Sequence, residues 1–241
     1  MREDSVLGSS AVQWIAGDAM SCTDVVAAAR SVSGGVDVII HGVNPPGYKN
    51  WRGLALPMLE NAIAAAEVTA ARLVFPGNVY NFGTDAFPTV AETASQKPNT
   101  RKGAVRVEME ALLQQASTDQ GLRVLIVRAG DYFGADAAGS WLSTVMVKPG
   151  RKLKSVIYPG DLEIGHSWTY LPDLGETVAR LLDRENALGR FESFHFAGHD
   201  LGRGGEMIDA FRQAVGREEL AVRALPWSLV ALASPFVETL R

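Results

Sequence analysis

The sequence has little cysteine, no long apolar run and no excess of positive charge, and each shortage removes a class of protein. Cys22 is the only cysteine among 241 residues, so an internal disulfide is impossible and a reducing compartment is expected. No upstream base or cationic cluster marks Cys22 as a nucleophile, so it reads as a small buried or half-buried residue. The first ten residues are polar and carry no signal-type apolar core. The longest apolar stretch, 228–237, is about half the length a membrane helix needs and contains Pro235. A cytoplasmic chain without membrane association is expected. The formal net charge is −4 with a pI near 5.6, which argues against a nucleic-acid binder. The one basic cluster, Lys148, Arg151, Lys152 and Lys154, reads as a solvated loop. No G-x-S-x-G occurs, which removes Ser-His-Asp hydrolysis on the usual elbow. There is no H-E-x-x-H and no cysteine pair, and His195 and His199 straddle a strand-to-loop junction, so no metal site is expected.

What is there is a chain rich enough in apolar residues, at 47%, to bury a substantial core. Short β-rich runs alternate with longer helical patterns, the signature of a parallel sheet with crossover helices. Strands are expected at 12–15, 36–40, 72–75 and 122–127, with Pro76 and Gly77 ending the third. The runs at 36–40 and 122–127 are apolar except for Asp37 and Arg123, as strands covered on both faces should nearly be. Helices are expected at 24–30 with Thr23 as N-cap, at 51–71 and at 102–117. Past Gly134 the pattern loosens. Strand-like pieces at 155–158 and 191–196 and helices at 173–183 and 205–215 suggest a smaller, irregular lobe sharing the core. The division is 1–134, a partial dinucleotide-binding domain, and 135–241, a substrate lobe partly interleaved with it. The glycines at 198, 202, 204 and 205 do not form G-x-G-x-x-G, because Met207 takes the third glycine position, and they read as an ordinary loop before a helix.

Four segments in order carry a resemblance. They are Gly17-Asp18 after the first strand; Val38-Ile39-Ile40-His41-Gly42-Val43; Phe75-Pro76-Gly77-Asn78-Val79-Tyr80-Asn81-Phe82-Gly83; and Val127-Arg128-Ala129-Gly130-Asp131-Tyr132-Phe133-Gly134. Tyr170-Leu171-Pro172-Asp173-Leu174 adds a later turn into a helix. Together they resemble the extended short-chain dehydrogenase/reductases, the NAD-dependent epimerases and dehydratases. The resemblance implies a doubly wound, Rossmann-like α/β sheet that binds NAD or NADP across the strand ends and acts on a small carbonyl or sugar-like substrate. Open parallel sheets collect ligands at that edge on physical grounds as well. The family's first strand, glycine turn and helix have no counterpart here, since Leu7, Gly8, Ser9 and Ser10 supply one glycine and no G-x-G-x-x-G. The chain reads as starting near the third strand of the usual fold, lacking its first βαβ unit, and as stopping in helix-like sequence at 227–241. That is the pattern of a fragment or of a late-started reading frame.

Enzymes of the family transfer a proton through a tyrosine, with a lysine four residues on lowering its pKa. Aligned on the following glycine, those positions hold Lys102 and Arg106, and the serine position falls on or near Pro76. The phenol is missing, and arginine is no base at neutral pH. Two readings of the pair stand: a site for a phosphate, a carboxylate or the cofactor ribose, or a solvated basic turn. Asn78 and Tyr80 are further catalytic candidates, with loop packing and turn formation as their plainer alternative. The resemblance implies that Asp18 accepts from the adenine amino group and that Ala19 beside it lies against the cofactor. It places His41, Gly42 and Val43 along the cofactor, His41 as a packing residue, and Ala129 and Asp131 on its far side, with Tyr132 packing near the nicotinamide. The expected function is an NAD(P)-dependent epimerase, dehydratase or reductase, with a non-catalytic NAD(P)-binding or sensing protein, or an inactive truncated chain, as alternatives. The expected partner is a small molecule, with no nucleic acid and no membrane; a homodimer is compatible with this reading.

Overall fold

The computed structural model describes residues 12–45, 50–135, 137, 139–148 and 150–233. Its main sheet contains β1 (Val38–Ile40), β2 (Arg72–Asn78), β3 (Val124–Ala129) and, from the second half of the chain, a strand labelled β7 (Phe191–His195). The order is β1-β2-β3-β7 and every pairing is parallel. Helix α1 (Cys22–Arg30) precedes β1, α2 (Trp51–Thr69) and α3 (Arg101–Gln120) make the crossovers from β1 to β2 and from β2 to β3, and α4 (Leu171–Leu182) precedes β7.

The period of two along the strands sorts the side chains between two faces. Leu73, Phe75, Val124 and Ile126 are buried against α2 and α3 through Leu59, Ile63, Met109 and Leu113. Val74, Leu125 and Val127 point the other way and pack on Leu174, Val178 and Leu181 of α4. A sheet covered on both faces explains the apolar runs, and the arrangement is the Rossmann-like, doubly wound α/β fold the sequence implies.

The remaining elements build a smaller core. Strands β4 (Asp131–Phe133), β6 (His166–Tyr170) and β8 (His199–Leu201) form one small sheet, and β5 (Ser155–Tyr158) pairs with β9 (Ala221–Ala224) in another. Met146, Val156, Tyr158, Trp168, Met207, Ile208 and Leu220 are buried between them and α5 (Gly204–Val215). The short helix α6 (Trp227–Ala233) follows; the rest of the 227–241 stretch, like residues 7–10, lies outside the described residues.

Four expectations are corrected. Residues 12–15 are not a strand; Val12, Trp14 and Ile15 are 44%, 77% and 45% exposed. An extended run becomes a strand only beside a partner, and none of the described strands lies on the outer edge of β1. Pro76 and Gly77 do not end β2, which runs on to Asn78. The missing N–H of Pro76 is tolerated, while Gly77 fits because a Cβ there would come within 2.8 Å of the Arg128 side chain. The N-cap of α1 is Ser21, whose side chain accepts from Asp24 N, and not Thr23. Cys22 is exposed, because α1 buries none of its residues.

Candidate functional site

The carboxyl ends of β1, β2 and β3 share one edge of the sheet, and most candidate residues lie there. His41 follows β1 directly; its backbone N donates to Val74 O at 2.9 Å and its ring stacks on Phe75 with centroids 6.0 Å apart. It is 5% exposed, and its Nε2 is buried with no hydrogen-bond partner among the described residues. Burial first, and the Arg106 charge second, push the imidazole down to about 4, so it is neutral at physiological pH. Gly42 turns the chain through a bond from its N to Ile40 O at 3.0 Å and opens onto free space, and Val43 is exposed.

At the end of β2, Asn78 Oδ1 accepts from Tyr80 N at 3.0 Å and starts the 3-10 turn Val79–Asn81. Tyr80 is 42% exposed. Asn78 is opposite Ala129 in the β2–β3 register, and Ala129 is buried. Helix α3 is capped by Thr100, whose hydroxyl accepts from Gly103 N at 3.0 Å. Its first turn presses on the 79–81 turn so closely that a Cβ at Gly103 would run into the Tyr80 carbonyl oxygen.

Lys102 is half-buried in that turn, and burial lowers its ammonium pKa. One turn on, Arg106 is held firmly. Its guanidinium lies 5.2 Å from the Trp51 ring centroid and 5.3 Å from that of Phe75, and Nη1 donates to Pro76 O at 3.3 Å. Trp51 in turn donates from Nε1 to Asn44 Oδ1 at 2.9 Å. Arg106 therefore joins the loop after β1, the start of α2 and the end of β2.

The structure thus groups His41 with Arg106 around Phe75, Tyr80 with the first turn of α3, and Asn78 with Ala129. The other candidates are engaged locally. Asp18 Oδ1 accepts from Met20 N at 2.9 Å, an Asx turn before α1, and Ala19 O accepts from Asn61 Nδ2 at 2.8 Å. Asp131 in β4 pairs with His166 Nε2 at 2.9 Å. Among the described residues no group of three or more His, Cys, Asp or Glu side chains is disposed to hold a metal, and no helix is long and apolar enough to cross a membrane.

Sequence reasoning missed Trp51 and the buried charges Arg128 and Glu110. The signal for Arg128 was legible: an arginine directly after the run Val124-Leu125-Ile126-Val127 and before Ala129 in the same strand demands a buried anion.

A parallel sheet wrapped by helices, with polar side chains at its carboxyl edge, is the fold of the NAD-dependent epimerases and dehydratases and the dTDP-sugar reductases. Among solved structures, UDP-glucuronic acid 4-epimerase from Bacillus cereus in complex with NAD matches with a TM-score of 0.70 and 17% identity, over 88% of this chain and 69% of that one. The dTDP-4-dehydrorhamnose reductase from Bacillus anthracis in complex with NADP gives 0.68 and 17%, over 86% and 72%. The dTDP-glucose 4,6-dehydratase DesIV from Streptomyces venezuelae, with NAD and TYD bound, gives 0.65 and 18%, over 87% of this chain and 65% of that one. The chain thus spans about two thirds of the length of DesIV. At these identities the likeness shows the fold. No family model matches the chain, and no curated protein matches it by sequence.

At the carboxyl edge of the sheet Gly42 opens onto free space, Val43 and Tyr80 are exposed, and the buried His41 Nε2 has no hydrogen-bond partner among the described residues.

Proposed function

We propose that the chain is an NAD(P)-binding protein of the epimerase, dehydratase and reductase class, in which Lys102 and Arg106 bind a negatively charged or carbonyl group of a small sugar-like substrate. The carrying observation is Arg106, a permanent cation fixed between two aromatic rings and the Pro76 carbonyl at the ligand edge of the sheet. Gly42, Val43, Tyr80 and Asp18 would hold the nicotinamide cofactor, which supplies hydride chemistry when bound. Arg106 orients; it cannot exchange a proton at neutral pH. Lys102 can, and its lowered pKa makes the ammonium a better donor to a substrate oxygen, while Tyr80 and Asn78 offer hydrogen bonds beside it.

A second reading, binding or sensing without turnover, is favoured by the absence of any tyrosine in α3. Calorimetric titration with NAD and NADP, paired with NAD(P)H absorbance for net reduction and nuclear magnetic resonance of incubated sugar nucleotides for redox-neutral conversion, separates the two. Binding with turnover that Lys102→Met abolishes supports the first. Binding of either dinucleotide without turnover supports the second. Absence of binding sinks both.

A further inference from the structure

The loop between β2 and α3, residues 79–100, is tied along the carboxyl edge of the sheet by side chains from three elements. Asn81 Nδ2 donates to Gln96 Oε1 at 3.0 Å, and Gln96 Nε2 donates to Glu110 Oε2 of α3 at 2.9 Å. Arg128 Nη1 of β3 donates to the Glu92 carbonyl at 3.4 Å. His195, the last residue of β7, holds the loop twice. Its backbone N donates to Glu92 Oε1 at 3.1 Å, and its Nδ1 lies 3.1 Å from Val90 O. Its Nε2 lies 3.0 Å from Arg128 Nη1.

These partners fix one tautomer. A carbonyl oxygen only accepts, so Nδ1 carries the proton. A guanidinium only donates, so Nε2 presents its lone pair. The Nε2 bond to Arg128 requires a neutral ring, whereas Nδ1–H donates to Val90 O in either state. We propose that His195 is a proton-operated latch: neutral, it lets Arg128 and itself sit together on the loop carbonyls of Glu92 and Val90; protonated, it loses the Arg128 bond and sets two cations side by side, and their repulsion drives apart the two groups that hold those carbonyls and loosens residues 82–98.

The ionisable groups facing the ring are Arg128 from β3, Glu92 from the loop and Glu110 from α3, with Phe82 edge-on at 5.4 Å. The carboxylates and the Val90 bond favour the cation. Burial, the largest influence, and Arg128 oppose it, and the imidazole is held below its ordinary value of 6.5. Glu110, itself paired with Arg128 and Gln96, is the smallest of these influences. The loop begins at the Tyr80 turn and ends at the helix carrying Lys102, so its release loosens both. His195 is in this sense a positioning residue, and the latch stands whether or not the chain binds a dinucleotide.

The test is nuclear magnetic resonance and hydrogen exchange on the whole chain. Four histidines make the ring signals assignable. Expected is a neutral His195 with Nε2 unprotonated and a midpoint below 6.5. Residues 82–98, corrected for intrinsic exchange, should lose protection between about pH 8 and about pH 5, by up to about tenfold for each pH unit that the midpoint lies below the free value. His195→Gln can still donate to Val90 O and accept from Arg128 and does not titrate, so its protection should be pH-independent. An Nε2–H tautomer, a midpoint at or above 6.5, or pH-independent protection in the wild type overturns the latch. So does a His195→Gln protein with the wild-type loss. If that variant does not fold, the wild-type ring titration and exchange decide the question by themselves.

Discussion

Arg128 and Glu110 meet at 2.7 Å with side chains only 4% and 5% exposed, joining the carboxyl end of β3 to the middle of α3. A second contact, Nε to Oε1 at 3.0 Å, makes the pair bidentate, and the Arg128 guanidinium lies 5.5 Å from the Phe82 ring centroid. Two buried charges in this geometry are worth little as a pair against an apolar substitute, but removing one strands the other. Glu110→Ala and Arg128→Ala should each lower stability by about 3–5 kcal/mol in urea denaturation. The double variant Arg128→Met with Glu110→Leu should cost less than either. Single variants costing under about 1 kcal/mol would mean that water reaches the pair and screens it.

Gly103 is where α3 touches the turn that carries Tyr80. The Cβ of an alanine would meet the Tyr80 carbonyl oxygen and, within 2.7 Å, Pro98 Cβ. Backbone oxygen cannot rotate aside, so Gly103→Ala should cost about 1–3 kcal/mol despite alanine's better helix propensity. The same change at Gly175, in a helix where a Cβ meets nothing within 4 Å, should be stabilising or neutral. Thermal midpoints of the two variants give opposite signs if packing decides, and the same sign if propensity does.

The parts of the fold written in local pattern were legible, and the parts made by distant pairing were not. Buried strands announce themselves as apolar runs, so β2 and β3 could be read from sequence, while β7, half-buried along its length, was legible only as a strand-like piece at 191–196. β6 and β8 could not: His166, Ser167 and Thr169 break the pattern, and the strands exist because β6 finds β4 on one side and β8 on the other. Residues 12–15 fail for the reverse reason, having strand composition but no described partner. At the candidate site, alignment named Lys102 and Arg106, but nothing local said that Trp51 lies across Arg106, because the two are far apart in sequence. His195 was set aside as a metal ligand; its role in fastening the loop depends on Val90 and Arg128, which only the folded sheet brings to it.

At the opposite edge of the sheet, Glu185 joins two arginines. Its Oε2 takes Arg72 Nε and its Oε1 takes Arg123 Nη1, each at 2.6 Å. Arg72 is buried and spends its remaining donors on Val124 O and Gly189 O, both at 3.1 Å. The Arg72 hydrogen bond, chiefly, holds the Glu185 carboxyl below the usual carboxylate value of 4.5. A depressed carboxylate contributes stability that is fully present above its unfolded value and lost as pH falls through the native one. Stability should therefore drop as pH falls below 4.5, and Glu185→Gln should flatten that limb while lowering stability at neutral pH. Denaturation curves at several acidic pH values check this; a variant with the wild-type acid limb would place the titrating group elsewhere.

His41 makes a prediction in a higher window. Its folded value of about 4 lies below the free value of 6.5, because burial disfavours the charged ring and Arg106 repels it. The sign follows from proton uptake: below 6.5 the unfolded chain binds a proton that the folded chain refuses. The contribution is complete above that value and is lost as pH falls from it toward 4. A gap of this size amounts to about 3 kcal/mol at most. His41→Phe keeps a ring on Phe75 and removes both the titration and the unpartnered Nε2, so it should abolish that loss and change neutral-pH stability little. His195 also resists protonation, so the comparison belongs in a His195→Gln background. Global stability should then be nearly flat between about pH 7 and about pH 5 in the double variant and still fall in His195→Gln alone. Equal slopes in the two would show that His41 takes up its proton without unfolding cost, and that water reaches the ring beside Arg106.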